Sequence, residues 1–184
     1  MKYLLDGQSS DRLLYRRIDI SDSREWLNFF QDPQTSIHWI EEKISPELSC
    51  KNWYQKQQWR YENHKGGMNA LVEKSTKRFI GHAGLLVQQV DGVEELEIGY
   101  SLLPEFWNKG YASEAAAECK RFAFQNNLAD SLISIISVTN APSQHVASKN
   151  GMTAERKTTY KGNEVFIYRI TRVEWLQSQP LITE

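Results

Sequence analysis

The stretch Glu97-Ile-Gly-Tyr-Ser-Leu-Leu-Pro-Glu-Phe-Trp-Asn-Lys-Gly-Tyr-Ala-Ser-Glu-Ala-Ala116 joins an apolar strand to a helix through a short polar turn. Pro104 cannot donate to a sheet ladder, so the strand stops there. The turn centres on Asn108-Lys109-Gly110, and a helix opens at about Tyr111 with small residues along one side. At such a helix start, unpaired backbone N–H groups converge where the helix dipole is positive. The arrangement is an anion cradle suited to a phosphate-bearing ligand.

Upstream, Gly67 to Glu73, Arg78 to Val90 and Val93 to Leu103 read as strands, with hairpin turns at Ser75-Thr76-Lys77 and Asp91-Gly92. Downstream, the helix from about Tyr111 to Gln125 carries Ala112, Ala115, Ala116, Cys119, Phe122 and Ala123 at helical spacing. Side chains this small let a helix axis approach a sheet closely. Ser131 to Thr139 is a buried-type strand reached through a helix, and is therefore expected to run parallel to its predecessor. A short helix from about Ala141 to Lys149 stops at Asn150-Gly151, and two last strands flank Tyr160-Lys161-Gly162-Asn163.

At the amino-terminal side, Leu13 to Ile20 reads as an opening strand. Ser21 or Asp22 then caps a helix bearing Trp26, Leu27, Phe29 and Phe30, which Asp32-Pro33 ends. A second helix covers roughly Pro46 to Asn63. The order β-α-α-β-β-β-α-β-α-β-β predicts an α/β fold: a mixed sheet with helices on both faces. With no repeat or linker in the chain, one domain over 1–184 is expected.

Hydrophobic residues make up 40% and charged residues 24%, an ordinary globular composition that excludes disordered and collagen-like classes. A net charge of -1 without a long basic run argues against nucleic-acid binding. Cys50 and Cys119 are the only cysteines, which argues against a disulfide framework and favours a reducing compartment. Asp6 interrupts the first apolar run too early for a signal peptide, and no segment reaches the length of a membrane span, so a cytoplasmic protein is expected. His38, His64, His82 and His145 are scattered without metal-ligand spacing, and no metal is expected. Neither a P-loop nor a Gly-x-Gly-x-x-Gly fingerprint is present.

Residues 107–112, Trp-Asn-Lys-Gly-Tyr-Ala, resemble the pyrophosphate signature of the GNAT superfamily of acyl-CoA-dependent N-acetyltransferases. That signature is Gln or Arg, two variable positions, Gly, one variable position, then Gly or Ala. Gly110 and Ala112 match, and Trp107 departs from it. Glu97-Ile-Gly-Tyr before the turn, Ala-Ser-Glu-Ala after it, and Asn140-Ala-Pro-Ser143 with Asn150-Gly-Met152 downstream extend the resemblance from about Leu13 to Val173. Within the superfamily, the chain looks most like the branch of ribosomal-protein N-terminal acetyltransferases. The resemblance implies a GNAT-like, mostly antiparallel sheet of about seven strands whose fourth and fifth strands splay apart, often at a bulge.

It also implies acetyl-CoA as cosubstrate, an amine acceptor (a peptide N-terminus or a small molecule) and direct attack of that amine on the thioester. The pyrophosphate is then expected on the main-chain amides of Asn108, Lys109, Gly110, Tyr111, Ala112 and Ser113. Lys109 either adds a cationic contact or is simply solvated, and Glu114 serves the helix dipole. The backbone of Ser101, Leu102 and Leu103 is expected beside the pantetheine arm, with the Leu102 N–H polarising the thioester carbonyl. Glu97 is the candidate base, against the alternative of an ordinary half-exposed strand carboxylate, and Glu95 is the reserve. Ser143 either protonates the departing thiolate or caps a helix, and Asn140 either orients the pantetheine or closes a turn. Trp39 and Trp53 are the candidates to line the acceptor pocket. Monomer and homodimer both remain open, as does a non-catalytic acyl-CoA-binding module, which would require Glu97 to point into the core.

Overall fold

The computed structural model describes residues 2–40 and 43–179. Residue 1 and residues 180–184, the ends of the expected domain, lie outside the described residues. Seven strands form a single sheet: β1 (Leu13–Arg17), β2 (Gly66–Glu73), β3 (Phe79–Val90), β4 (Val93–Leu102), β5 (Ser131–Ser137), β6 (Thr153–Tyr160) and β7 (Asn163–Thr171), in the order β1-β2-β3-β4-β5-β7-β6. Every neighbouring pair is antiparallel except β4 and β5, which run parallel.

Among the described residues, five helices accompany the sheet: α1 (Ser23–Gln31), α2 (Pro46–Glu62), α3 (Tyr111–Gln125), α4 (Ala141–Lys149) and α5 (Arg172–Gln177). The entry to α1 differs from expectation. Asp22 is the N-cap residue of α1 but makes no side-chain cap bond to it; Asp19 closes a capping box around a 3₁₀ turn at Ile20–Asp22 just before, and β1 ends early at Arg17. The Asp22 carboxylate accepts from the Asp19 N–H at 3.0 Å within that box and also makes a bidentate pair with Arg16, at 2.6 and 2.8 Å. Ser45 caps α2, with Pro46 at its first position, where a missing N–H costs nothing. The short α5 lies beyond the expected elements and is held by a Thr171–Glu174 capping box.

Helices α1 and α2 cover one face of the sheet, where Trp26 and Trp53 each pack 4.4 Å from His82 of β3. Helix α3 covers the other, presenting Ala115, Ala116, Cys119 and Ala123, all buried, to the core. Asp91-Gly92 and Lys161-Gly162 form the tight turns of two hairpins. Their backbones are left-handed at both central positions (φ 51° and 81°; 50° and 77°), the geometry that matches strand twist.

Candidate active site

Strands β4 and β5 touch at one register pair, Glu97 opposite Ile133, and then part. One side chain takes over a hydrogen bond that a continued ladder would make: Ser134 Oγ donates to the Ile98 carbonyl at 3.0 Å. The Ile135 N–H faces the Glu97 carboxylate and favours its charged form. The strands therefore open as a V with Glu97 at its apex. No bulge causes this. The β3–β4 ladder runs without a shift from Gly81↔Leu102 to Val90↔Val93, and the sheet's register shifts lie at Leu71/Val72 and Ala154/Arg156.

Main-chain alternation then decides which groups face the opening. The Leu103 N–H donates to the Ile80 carbonyl at 3.0 Å, so Ser101 and Leu103 turn their amides towards β3. Tyr100 and Leu102 face the V instead. Of the three residues expected beside a pantetheine arm, Leu102 alone presents its main chain there, and its carbonyl already accepts from the Trp107 indole N–H at 2.8 Å. Trp107, the departure from the sequence signature, thus ties the Asn108–Gly110 turn back to the strand.

The turn itself has left-handed backbone at Asn108 (φ 58°) and Gly110 (φ 81°). Gly110 caps α3 without a side chain, so the N–H groups of Tyr111, Ala112 and Ser113 point out with no protein partner among the described residues. That donor set fits a diphosphate. Lys109 is exposed, its ammonium 5.5 Å from the Phe106 ring centre. Arg12 escaped the sequence reading. Its guanidinium donates to the Lys109 carbonyl at 3.0 Å, pairs with Glu114 at 2.7 Å and lies over the Tyr111 ring. Glu114 also accepts from the Ser10 hydroxyl at 2.6 Å, so it clamps the amino-terminal segment onto the start of α3. A pairing across about 100 residues of sequence leaves no local signal.

Glu97 is half-buried. Desolvation pushes its pKa up, and the Gln88 amide, Arg60, the Ile135 N–H and Lys161 pull against that. The Gln88 amide donates to it at 2.6 Å. Lys56 of α2 sits in the same field: partial desolvation, with Lys161 and Arg60 beside it, pulls its ammonium down to about 8. Glu95, the reserve, is committed to a bidentate pair with Arg169 at 2.6 and 3.1 Å.

Across the V, Asn140 caps α4 by accepting from the Ser143 N–H at 3.1 Å. The cap is thus Asn140 rather than Ser143, whose hydroxyl lies against the Tyr100 phenol. Tyr100, which the sequence reading passed over, spans the gap, its hydroxyl donating to the Ser143 carbonyl at 3.2 Å. Burial pushes its pKa up to about 12, so it holds its proton at neutral pH. Its place directly after Ile98-Gly99 in the signature strand was the available signal. Trp39 packs over the β5–β7 side with Ile133, Ile135, Val165 and Ile167, while Trp53 packs over β3, so the two flank the Glu97 strand. Among the described residues no group of three or more His, Cys, Asp or Glu could hold a metal ion, and no helix is long and apolar enough to cross a membrane.

Comparison with known proteins agrees with this geometry. The family model for the acetyltransferase (GNAT) domain matches residues 12–153. The chain is 28% identical over 177 residues to the uncharacterized N-acetyltransferase YnaD of Bacillus subtilis (strain 168), covering 91% of this chain and 98% of that protein. The fold is similar to that of RimL, a ribosomal L7/L12 alpha-N-protein acetyltransferase solved with coenzyme A (TM-score 0.71, 17% identity, 90% of this chain and 97% of that one). It is also similar to that of spermidine N-acetyltransferase from Vibrio cholerae, solved with CoA and spermine (TM-score 0.70, 17% identity, 90% and 98%).

Proposed function

The chain belongs to the GNAT acetyltransferase family, and from that premise we propose that it moves an acetyl group from acetyl-CoA to a primary amine, with Glu97 as the base. The observation that carries this reading is the Glu97 carboxylate at the apex of the β4–β5 opening, on the face covered by α1 and α2. The amides of Tyr111, Ala112 and Ser113 would hold the diphosphate, and the Leu102 N–H would donate to the carbonyl oxygen as it gains charge. Bound there, acetyl-CoA supplies a thioester whose C–S bond breaks as the C–N bond forms.

An alkyl ammonium holds its proton at neutral pH, so an acceptor of that kind must lose one before it attacks. A carboxylate whose pKa is raised towards neutrality takes that proton better than an ordinary one. Glu97 therefore removes the ammonium proton, directly or through water, and the Ser143 hydroxyl is the donor to the leaving thiolate. Asn140 fixes the α4 start that presents Ser143. Trp39 and Trp53 would wall the acceptor on either side.

The RimL and spermidine enzymes both act on amines and lie at equal identity to this chain. They support the amine class and do not choose between a peptide N-terminus and a small molecule.

Release of free thiol from acetyl-CoA over a panel of peptide N-termini, polyamines and aminoglycosides tests the reading. Wild type turns over at least one class. Glu97→Gln binds CoA as well as wild type while kcat/KM falls about 10²- to 10⁴-fold, the usual worth of a general base. CoA binding with no thiol release for any acceptor would instead identify an acyl-CoA-binding module.

A further inference from the structure

We propose that Gln88 is a positioning residue for Glu97, the middle link of a hydrogen-bonded chain that runs from the buried Arg60 guanidinium to the carboxylate. The proposal rests on Glu97 as base.

The geometry allows one orientation of the Gln88 amide. Its Oε1 accepts from Arg60 Nη2 at 2.9 Å and from the Tyr160 hydroxyl at 3.1 Å, and its Nε2 donates to Glu97 at 2.6 Å. A guanidinium has only donors, so Oε1 must face it and Nε2 must face the carboxylate. Two donors on the oxygen polarise the amide and strengthen the bond it gives. Gln88 also has a nearer candidate partner: it lies directly opposite Glu95 in the β3–β4 register, with Glu97 one diagonal step away. Arg169 removes that competitor by binding Glu95 through both nitrogens. The amide is left to the carboxylate at the apex of the V.

Arg60 gives the chain its charge. It is 5% exposed, has no carboxylate within ion-pair distance among the described residues, and spends Nη1 on the Lys65 and Val87 carbonyls at 2.9 and 3.2 Å. A buried cation without a direct counter-ion is costly. Here its counter-charge is Glu97, reached through one amide.

The groups facing Glu97 come from every element around it. Lys56 and Arg60 face it from α2 and Gln88 from β3, while Tyr100 of its own strand projects from the opposite face of the sheet and acts on it only at longer range. The Ile135 N–H faces it from β5, Tyr160 from the end of β6, and Lys161 from the β6–β7 turn. Gln88 is the one side chain among them that hydrogen bonds both to the carboxylate and to the cation behind it. It keeps the half-buried carboxylate ionised enough to accept a proton and aims it at the opening.

Gln88→Met keeps length and removes the donor. The Glu97 carboxyl pKa is read directly by NMR of protein labelled with ¹³C-glutamate, using Glu97→Gln to assign the resonance. Expected is a rise of about one unit, a tenfold gain in proton affinity. The acidic limb of the kcat/KM profile should move by the same amount, with the KM for acetyl-CoA unchanged. Tyr160→Phe removes one of the two donors to Oε1, and should shift the resonance in the same direction by less. It is the variant to use should Gln88→Met fold poorly.

A Glu97 resonance that titrates as in wild type in both variants overturns the proposal, whatever happens to turnover. A limb that moves without the resonance does the same. Wild-type turnover by Glu97→Gln removes the base reading instead, and the resonance distinguishes the two failures because it does not depend on catalysis.

Discussion

His82 is fully buried among Trp26, Trp53, Phe79 and Tyr54, and neither ring nitrogen has a partner among the described residues. Burial, with Arg16 nearby, holds its pKa well below 6.5, so the native imidazole is neutral. The unfolded chain takes up a proton near pH 6.5 and the folded one does not. Stability should therefore fall as pH drops below that value, by up to about 1.4 kcal/mol per pH unit. Glu97 acts with the opposite sign: its raised pKa lets the native state keep a proton longer, so its contribution is lost as pH rises through that value. Urea titrations between pH 6.5 and 5 should show the His82 slope in wild type and a flatter curve in His82→Met. Equal slopes would mean that the unpartnered ring is not what titrates. The type and strand position of Glu97 could be read in the chain, whereas its partners could not. Gln88, Arg60 and Lys161 come from three separate elements, and nothing local links them.

At the scale of elements, the turn before α3 has its shape written into local residues. Pro104 ends the strand run, and Asn108 and Gly110 are the residue types that tolerate left-handed backbone. A Cβ on Gly110 would meet only Arg12 Nη2, at 3.4 Å, so space is not the obstacle to Gly110→Ala. The cost is conformational, about 1–2 kcal/mol for a non-glycine residue at positive φ. If the bound loop needs that geometry, calorimetry should show the CoA dissociation constant rising roughly tenfold. An unchanged constant would place the diphosphate elsewhere. Local signals also located α3 and α4 to the residue, because caps, small-residue spacing and the Asn150-Gly151 stop are short-range effects. The start of α1 was read too simply. Its entry depends on the Asp22 carboxylate serving both the Asp19 capping box and a pair with Arg16 from β1.

The whole molecule divides labour between the two faces of its sheet: α3 and its cradle on one side, α1 and α2 over Glu97 on the other. Trp26 joins the second face, stacked 4.3 Å from Phe29 and tilted 5.6 Å from Trp53. Trp26→Ala should cost about 3–5 kcal/mol, a large share of the ~5–15 kcal/mol typical of a domain. A lower urea midpoint, with the acceptor KM raised well above its wild-type value and the acetyl-CoA KM near normal, would confirm that the faces act separately. Equal loss in both constants would show that they do not. The chain's order of polar turns, apolar runs and small residues determined the element sequence, the mixed sheet and the left-handed bend before α3, because each depends on neighbours within a few positions. Only the tertiary structure decided where β4 and β5 part, which main-chain amides face the gap, and that a buried cation reaches Glu97 through one glutamine. Those outcomes depend on side chains from distant strands and helices competing for the same few hydrogen-bonding groups, a competition that exists only once the sheet has assembled.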